Sequence, residues 1–262
     1  MIDFVRKNSY DLKDLETIVS ILRSPGGCPW DAEQDHKSLR RALLEESCEV
    51  IEAIDEESPE HLKEELGDVL LQVVFHADIE REEGRFDLNA VADGVSKKLI
   101  FRHPHVFGDV EVADSEEVLV NWDALKRQEK AQDTYTDTLT AVAKSLPALW
   151  RAEKVQKKAK KAGFDWPDAS GAVDKLSEEL GELKEAISQG TDMEEELGDL
   201  LFSVVNVSRF LKADPEEALN AATSKFISRF AKVEQMALSQ GKDMAQMSLE
   251  ELDKLWEQAK LT

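Results

Sequence analysis

The sequence predicts an all-α protein built from two tandem repeats of one helical bundle. Apolar residues recur every three or four positions, as in Leu66–Ala77 and Leu197–Val205, which is the spacing of one helix face. No segment alternates polar and apolar residues between hairpin turns, so we expect no sheet. The stretch Glu64–Asp68 returns unchanged as Glu195–Asp199, which indicates a duplication.

Breaks between the apolar stripes divide the chain into helices. Proline and glycine mark these breaks, for example at Pro25–Gly27, Ser58–Pro59 and Asp214–Pro215. The predicted helices are 11–23, 37–56, 59–83, 88–101, 115–130, 139–162, 170–188, 192–212, 215–238 and 248–260. A polar, threonine-rich stretch is the best linker, so we expect domains at 1–130 and 139–262 joined by 131–138.

Composition limits the classes of partner. Of 262 residues, 42% are hydrophobic, which is enough for a core, and the net charge is −22. Such an acidic surface repels phosphate backbones and anionic lipids, so we expect no direct nucleic-acid binding and no membrane partner. The longest apolar runs are far shorter than the ~20 residues that span a bilayer. Two unpaired cysteines and no apolar leader favour a cytoplasmic protein.

Further landmarks recur in the same order in both halves. The segment Glu45–Ile54 matches Glu178–Ile187 at six of ten positions. Two later pairs also match with i, i+4 spacing: Lys98 and Arg102 with Lys225 and Arg229, and Trp122 and Lys126 with Trp256 and Lys260. Several landmarks in one order indicate a duplicated domain rather than chance similarity.

Each repeat carries four carboxylates in two ExxE/D pairs. Glu46 and Glu49 share one helix face, and Glu65 and Asp68 share a face of the next helix. A short connection predicts that these helices are antiparallel neighbours, and the packing is expected to use Val50, Ala53, Leu66, Val69 and Val73. Four converging carboxylates repel one another and therefore attract a cation. Oxygen-only ligands favour Mg²⁺, or Mn²⁺, over zinc.

Solvated acidic helix faces are the alternative interpretation, because ExxE patterns are common on exposed helices. The repetition argues against it, as does a mid-helix glycine in each copy, Gly67 and Gly198. Glycine costs about 1 kcal/mol there relative to alanine, which suggests a close helix approach. A di-iron bundle is excluded because it needs two Glu-x-x-His pairs, and neither acidic motif has a histidine three residues after its glutamate. A Walker motif is also absent from the sequence.

Basic residues downstream of the acids provide a second half of the site. Lys98 and Arg102 can hold phosphate oxygens that a metal leaves free, and a carboxylate-oriented water could attack phosphorus. Trp122 and Trp256 can either stack on a base or pack in the core.

Together these motifs, with Gly27–Asp31 and Arg102–Gly108, closely resemble the MazG nucleoside triphosphate pyrophosphohydrolases over nearly the whole chain. The resemblance implies an all-α pyrophosphatase fold that is usually a homodimer. It also implies Mg²⁺-dependent hydrolysis of NTPs or dNTPs between the α- and β-phosphates, giving a nucleoside monophosphate and pyrophosphate.

The same resemblance implies residue roles. The metal ligands would be Glu46, Glu49, Glu65 and Asp68 in the first copy and Glu179, Glu182, Glu196 and Asp199 in the second. The nucleotide would be bound by Lys175, Lys225, Arg229, Trp256 and Lys260, with Lys98, Arg102 and Trp122 in the first copy. Glu45 or Glu178 would accept the proton from water.

Three questions stay open at this point. Both copies keep all four acids, so the sequence does not show which copy is active. The enzyme could hydrolyse triphosphates of many bases, or it could be specific for one damaged or non-standard nucleotide. The alternative function is a non-catalytic helical module that binds Mg²⁺ and a nucleotide, or docks a partner.

Overall fold

The computed structural model describes residues 4–261, and all regular structure in that range is helical. The predicted all-α class is therefore confirmed. The chain divides into two units between Lys126 and Arg127, which we call unit 1 and unit 2. No helix in the described part of the chain combines the length and the apolar character needed to cross a membrane.

Unit 1 contains the first seven helices. Their bounds are α1 Leu12–Arg23, α2 Pro29–Glu33, α3 Arg40–Asp55, α4 Pro59–Glu82, α5 Leu88–Arg102, α6 Pro104–Phe107 and α7 Ser115–Glu129, the last of which runs past the division between the units.

Unit 2 contains the remaining helices. They are α8 Tyr135–Thr140, α9 Ala148–Lys161, α10 Ala169–Gln189, α11 Met193–Leu211, α12 Pro215–Ser239, a 3₁₀ turn at Met244–Gln246, and α13 Leu249–Ala259.

The single helix predicted over 139–162 is wrong, because two helices cover this region. Pro147 precedes α9 with an extended backbone, and it disfavours helical geometry at the residue before it. The first of the two helices, α8, begins inside the segment predicted as a linker. Thr134 and Asp137 form a capping box there, each side chain accepting from the other's backbone N–H.

A helical hairpin lies at the centre of each unit. In unit 1, α3 packs against α4 across a short turn, and Ser58 caps α4 by accepting a hydrogen bond from the His61 N–H. In unit 2, α10 packs against α11, and the turn begins at Gly190, whose φ of +72° favours glycine. The predicted hairpins are thus present in both repeats.

The packing face of the first hairpin differs from the sequence prediction. Ala53 is fully buried, but Leu66 and Val73 are 51% and 37% exposed. Instead, α4 buries Val74, Phe75 and Ile79 with Val19 of α1. The helix face that carries Leu66 and Val73 is therefore open within this chain.

Unit 2 has its own apolar core near the C-terminal end. Val233 and Ala237 of α12 pack with Leu255 and Ala259 of α13. Trp256 lies against this cluster, half-buried. Polar anchoring adds to the packing, because Asp214 caps α12 and also accepts a hydrogen bond from the Trp150 indole at 2.8 Å.

Candidate metal and nucleotide site

The α3–α4 hairpin of unit 1 brings three acidic side chains together. One carboxylate oxygen each from Glu46, Glu49 and Glu65 lies within 4.8 Å of the others. Glu65 is buried, and Glu46 is half-buried. Asp68, the fourth predicted ligand, lies outside this triad but close enough to act electrostatically on Glu46 and Glu65.

Crowding of negative charge changes the acidity of this cluster. Loss of hydration raises the pKa of Glu46 above its usual value, and the charges of Glu49 and Asp68 raise it further. The pKa of Glu65 is raised for the same reasons, while His61 acts in the opposite direction. Each shift means that the ionised cluster is disfavoured without a neighbouring cation.

Unit 2 builds a second triad with a different set of positions. Oxygens of Glu179, Glu196 and Asp199 lie within 4.8 Å of one another, and Glu179 is 5% exposed. Glu182 lies against Glu179, and hydrogen bonding between the two carboxyls raises the pKa of Glu182. Loss of hydration and the charge of Asp199 raise the pKa of Glu196.

A lysine lies at the edge of the second triad. The Lys175 ammonium is 2.7 Å from a carboxylate oxygen of Glu178 and 2.7 Å from one of Glu179. Hydrogen bonds to these two glutamates raise the pKa of Lys175, so it stays charged at neutral pH. This predicted nucleotide-binding lysine is thus beside the acids, at the place where an anionic ligand would need a cation.

Unit 1 has a histidine at the edge of its triad, which the sequence analysis missed. His61 lies 3.2 Å from Glu65 and 2.9 Å from Glu56. Its i, i+4 spacing from Glu65 was the available sequence signal. The two triads therefore differ in their neighbouring basic side chain, a histidine in unit 1 and a lysine in unit 2.

The two candidate proton acceptors are both exposed and ion-paired. Glu45 contacts Arg41 at 2.7 Å on the same helix. Glu178 contacts Lys175, which also contacts the buried Glu179. Glu178 is therefore joined to the second triad through one lysine, whereas the ion pair of Glu45 involves no triad residue.

The predicted aromatic and basic residues form a separate group in each unit. In unit 1, the Arg102 guanidinium and the Lys126 ammonium lie 5.2 Å and 4.7 Å from the Trp122 ring centre. Lys98 is exposed one turn before Arg102.

The corresponding group in unit 2 is built in a similar way. The Arg229 guanidinium is 6.0 Å from the Trp256 ring centre, and Phe226 packs on the same ring. Lys260 contacts Glu257 at 2.5 Å, and Lys225 is exposed. Within residues 4–261, no hydrogen bond, ion pair or ring contact joins this group to the acidic triad.

The mid-helix glycines do not serve a close contact within their units. Apart from its chain neighbours and the backbone of its own helix, a Cβ placed on Gly67 or on Gly198 would meet no atom within 4 Å. The expectation of a close helix approach inside each copy is therefore wrong. Space remains next to both residues, directly beside the triads.

The donor set of each triad fits a hard divalent cation. All three ligands are carboxylate oxygens, and six oxygens around Mg²⁺ at about 2.1 Å stand roughly 3–4 Å apart. The oxygens of each triad lie within 4.8 Å of one another, which is close to that spacing. The raised pKa values of Glu46 and Glu196 indicate that a bound cation would stabilise the ionised carboxylates. The fold and these triads define a class: duplicated all-α proteins whose helical hairpins present carboxylates for a divalent cation.

Comparison with known proteins narrows that class. The family model described as "MazG nucleotide pyrophosphohydrolase domain" matches residues 34–107 and again 170–233, one match on each hairpin. The chain belongs to this family, as its motifs predicted.

Individual relatives match nearly the full chain. A Thermotoga maritima protein named "Nucleoside triphosphate pyrophosphohydrolase/pyrophosphatase MazG" is 48% identical over 95% of both chains. An Escherichia coli K12 protein named "Nucleoside triphosphate pyrophosphohydrolase" is 43% identical over 94% of this chain and 95% of its own. "Uncharacterized protein YabN" of Bacillus subtilis is 47% identical over 97% of this chain and 52% of its own length.

Proposed function

We propose that this protein is a nucleoside triphosphate pyrophosphohydrolase that cleaves between the α- and β-phosphates and releases a monophosphate and pyrophosphate. The observation that carries the proposal is the acidic triad repeated on two helical hairpins, within a family of hydrolases that act on acid anhydrides. The names of the full-length relatives support the substrate class.

Divalent metal is the cofactor we propose, with Mg²⁺ first and Mn²⁺ as a substitute. The ion would be bound by Glu46, Glu49 and Glu65 in unit 1 and by Glu179, Glu196 and Asp199 in unit 2. Asp68 and Glu182 would be the fourth ligands of the two sites. When bound, the ion supplies positive charge against the phosphate oxygens and polarises the phosphoryl group.

Side chains of unit 2 would bind the phosphate and activate the water. Lys175 already lies beside Glu179, so its ammonium can bind a phosphate oxygen of the substrate. Glu178 shares that lysine, so it can orient a water and accept its proton.

The basic and aromatic groups are assigned to the nucleotide as well. The nucleotide-binding residues of unit 2 would be Lys225, Arg229, Trp256 and Lys260. Those of unit 1 would be Lys98, Arg102 and Trp122. Glu45 is the equivalent proton acceptor in unit 1.

A homodimer is part of the proposal because the chain exposes too much surface for a monomer. Its accessible surface is 18821 Å² for 29.4 kDa. One folded monomer of this mass exposes about 11,500 Å², and two separate units of half the mass about 14,000 Å². Obligate dimers bury about 2,000–5,000 Å² in total, so an excess of about 5,000 Å² on each chain is more than enough surface for such an interface.

Exposed apolar helix faces beside the triads supply the proposed dimer surface. Leu180 and Ile187 of α10 are 43% and 60% exposed, and Leu197 and Leu201 of α11 are 47% and 49% exposed. Large apolar side chains at one helix spacing mark an interaction surface.

Product analysis tests the proposed reaction. Purified protein with Mg²⁺ is given a panel of NTPs and dNTPs, and monophosphate, diphosphate, pyrophosphate and orthophosphate are separated. We expect monophosphate and pyrophosphate from most bases, which is the broad specificity we favour over a single damaged nucleotide. Diphosphate and orthophosphate would place cleavage at another bond, and no turnover with any divalent metal would favour the non-catalytic binding module.

Paired variants assign the reaction to a unit. We expect Glu182→Gln or Glu196→Gln to abolish turnover by unit 2, with the helical circular dichroism retained. Glu49→Gln and Glu65→Gln are the matched changes in unit 1. Full activity with both units changed would contradict the assignment of the acids.

A further inference from the structure

Two histidines of unit 1 are in direct contact. His36 lies in the loop before α3, and His76 lies on α4, the helix against which α3 packs. Their Nδ1 atoms are 2.8 Å apart, and the rings stack with their centres 5.0 Å apart. Both residues are half-buried. The hydrogen bond between the two rings therefore ties the loop that leads into α3 to the side of α4.

A buried carboxylate fixes the proton on the far side of His36. Glu80, one turn after His76 on α4, lies 2.5 Å from Nε2 of His36. Arg85 donates hydrogen bonds to both oxygens of Glu80, and these bonds lower the pKa of Glu80 to about 2. Because an ionised carboxylate can only accept, Nε2 of His36 is the donor and keeps its proton at neutral pH.

The contact between the rings has room for one proton. One Nδ1 must donate and the other must accept, so one of them carries no proton. With Nε2 of His36 protonated, the pair can be neutral or can carry a single positive charge. A second positive charge would protonate both Nδ1 atoms, which leaves no acceptor and places two cations side by side. Loss of hydration at His76 and the charge of His36 accordingly lower the pKa of His76.

Charged groups around the pair do not titrate in the range of histidine. Besides Glu80 and Arg85, the packed elements carry the following: Arg23 of α1, Asp31 and Glu33 of α2, Asp35 and Lys37 of the loop, Arg40 of α3, Asp78, Arg81 and Glu82 of α4, and Asp87 before α5. Hydrogen bonds from the N–H groups of Ser38 and Lys37 lower the pKa of Asp35, so it stays ionised. The other histidine of α4, His61, lies about 22 Å from His76 along the helix axis. The pair is therefore what changes charge here between pH 5 and 8.

The pair lies where α3 begins, in the hairpin that carries the first triad. Leu39, three residues after His36, is 4% exposed and belongs to the core cluster of unit 1. The N–H of Leu39 donates to the Asp35 carbonyl at 3.1 Å, and the N–H of Leu43 donates to the Leu39 carbonyl at 3.0 Å. These two backbone bonds span the junction of the loop and α3, so their amides report whether the junction is ordered.

Unit 2 has no counterpart of this pair. When the repeats are aligned on their acidic motifs, the positions of His36, His76 and Glu80 hold three apolar residues: Ala169, Val207 and Leu211. None of these side chains can gain or lose a proton. A response to acid at this place in the fold therefore belongs to unit 1.

We propose that the His36–His76 contact is a pH-dependent tether, which holds the start of α3 on α4 at neutral pH and releases it when both rings are protonated. Acidification below about pH 6 drives the release, because a free histidine takes up its proton near pH 6.5. The proposal goes beyond the hydrolysis of triphosphates, since it concerns the hairpin of unit 1 whether or not a nucleotide is bound.

Titration of the histidine rings by NMR tests the shared proton. We expect the pair in the full chain to titrate in two steps, with the second more than about one pH unit below the ordinary histidine value. In His76→Gln, His36 should titrate in one step. Single steps that stay unchanged for each histidine when the other is replaced by glutamine would overturn the proposal.

Hydrogen exchange at the amides of Leu39 and Leu43 tests the release. At pH 5.5 the extra proton favours the released state about tenfold, since the ordinary histidine pKa of about 6.5 is one unit higher. The protection factors, which correct for the intrinsic effect of pH, should fall by that factor between pH 7.5 and pH 5.5. They should stay constant in His76→Gln, whose amide can bond to His36 without titrating. Equal losses of protection in the wild type and His76→Gln would overturn the proposal.

His105→Gln is the matched control. His105 is also half-buried, and its ring centre lies 5.6 Å from that of a second histidine, His103. Within residues 4–261 no hydrogen bond joins these two rings, so the variant should keep the pH response of the wild type. Loss of the response in His105→Gln would overturn the proposal. If circular dichroism shows that His76→Gln does not fold, His36→Gln removes the same shared proton and is measured in its place.

Discussion

Replacing Gly198 with alanine tests why a glycine occupies the middle of α11. The residue lies next to Asp199, and no atom outside its chain neighbours and the backbone of its own helix lies within 4 Å of the position of a Cβ. Alanine stabilises a helix interior by about 1 kcal/mol relative to glycine. Taken alone, that gain would raise the Tm of a unit of this size by roughly 4 °C.

The proposed dimer reverses the sign of this change. Gly198 is flanked on its own helix by the exposed Leu197 and Leu201, so a partner helix would approach its backbone. Overpacking at such a contact costs about 1–3 kcal/mol, which corresponds to a 5- to 150-fold weaker dimer. Sedimentation equilibrium measures the dissociation constant, and thermal melting measures stability.

Gly181 provides the control within the same unit. A Cβ there also meets no atom within 4 Å outside the backbone of its own helix and its chain neighbours. Leu180 precedes it, but its neighbours one turn away, Ser177 and Lys184, are polar, whereas Gly198 has the exposed Leu201 one turn away. Unit 1 carries Cys48 at the matching position, so a side chain is compatible with the fold. We expect Gly181→Ala to gain about 1 kcal/mol with an unchanged dimer. If Gly198→Ala behaves in the same way, the dimer face assigned to α11 is wrong.

Two further predictions concern ionisable groups in unit 2. The Lys242 ammonium lowers the pKa of Glu251 to about 2 from 4.5, so its stabilisation is present above pH 4.5 and lost as the pH falls toward 2. Glu251→Gln should therefore lower the Tm at pH 7 and match the wild type near pH 2, and equal Tm values at pH 7 would contradict this. Lys175→Met should tighten Mg²⁺ binding, by removing the cation that competes at Glu179, and lower triphosphate turnover at least tenfold. Calorimetry and initial rates measure both, and unchanged values would contradict the assigned role.

The helical hairpins and most of the acids could be predicted because the information is local. An i, i+3 spacing places two carboxylates on one helix face whatever the rest of the fold does. Pairing the faces of α10 and α11 needs only a short turn at Gly190. Three acids of each predicted set of four accordingly meet in a triad.

Features that depend on contacts between distant segments could not be predicted in this way. The pairing of Asp165 with Arg209 spans a loop and two helices, and nothing in the local spacing of either residue signals it. The open space at Gly198 is likewise a property of the packed hairpin rather than of its sequence. The break before α9 was local and readable, because Pro147 is in the sequence.

Manganese in crystals of the protein tests the central claim most directly, because its anomalous scattering locates the ion. The account predicts a peak among Glu179, Glu196 and Asp199, a second among Glu46, Glu49 and Glu65, and loss of the first in Glu196→Gln. Manganese bound elsewhere in protein that still hydrolyses triphosphates would contradict the assignment of both triads.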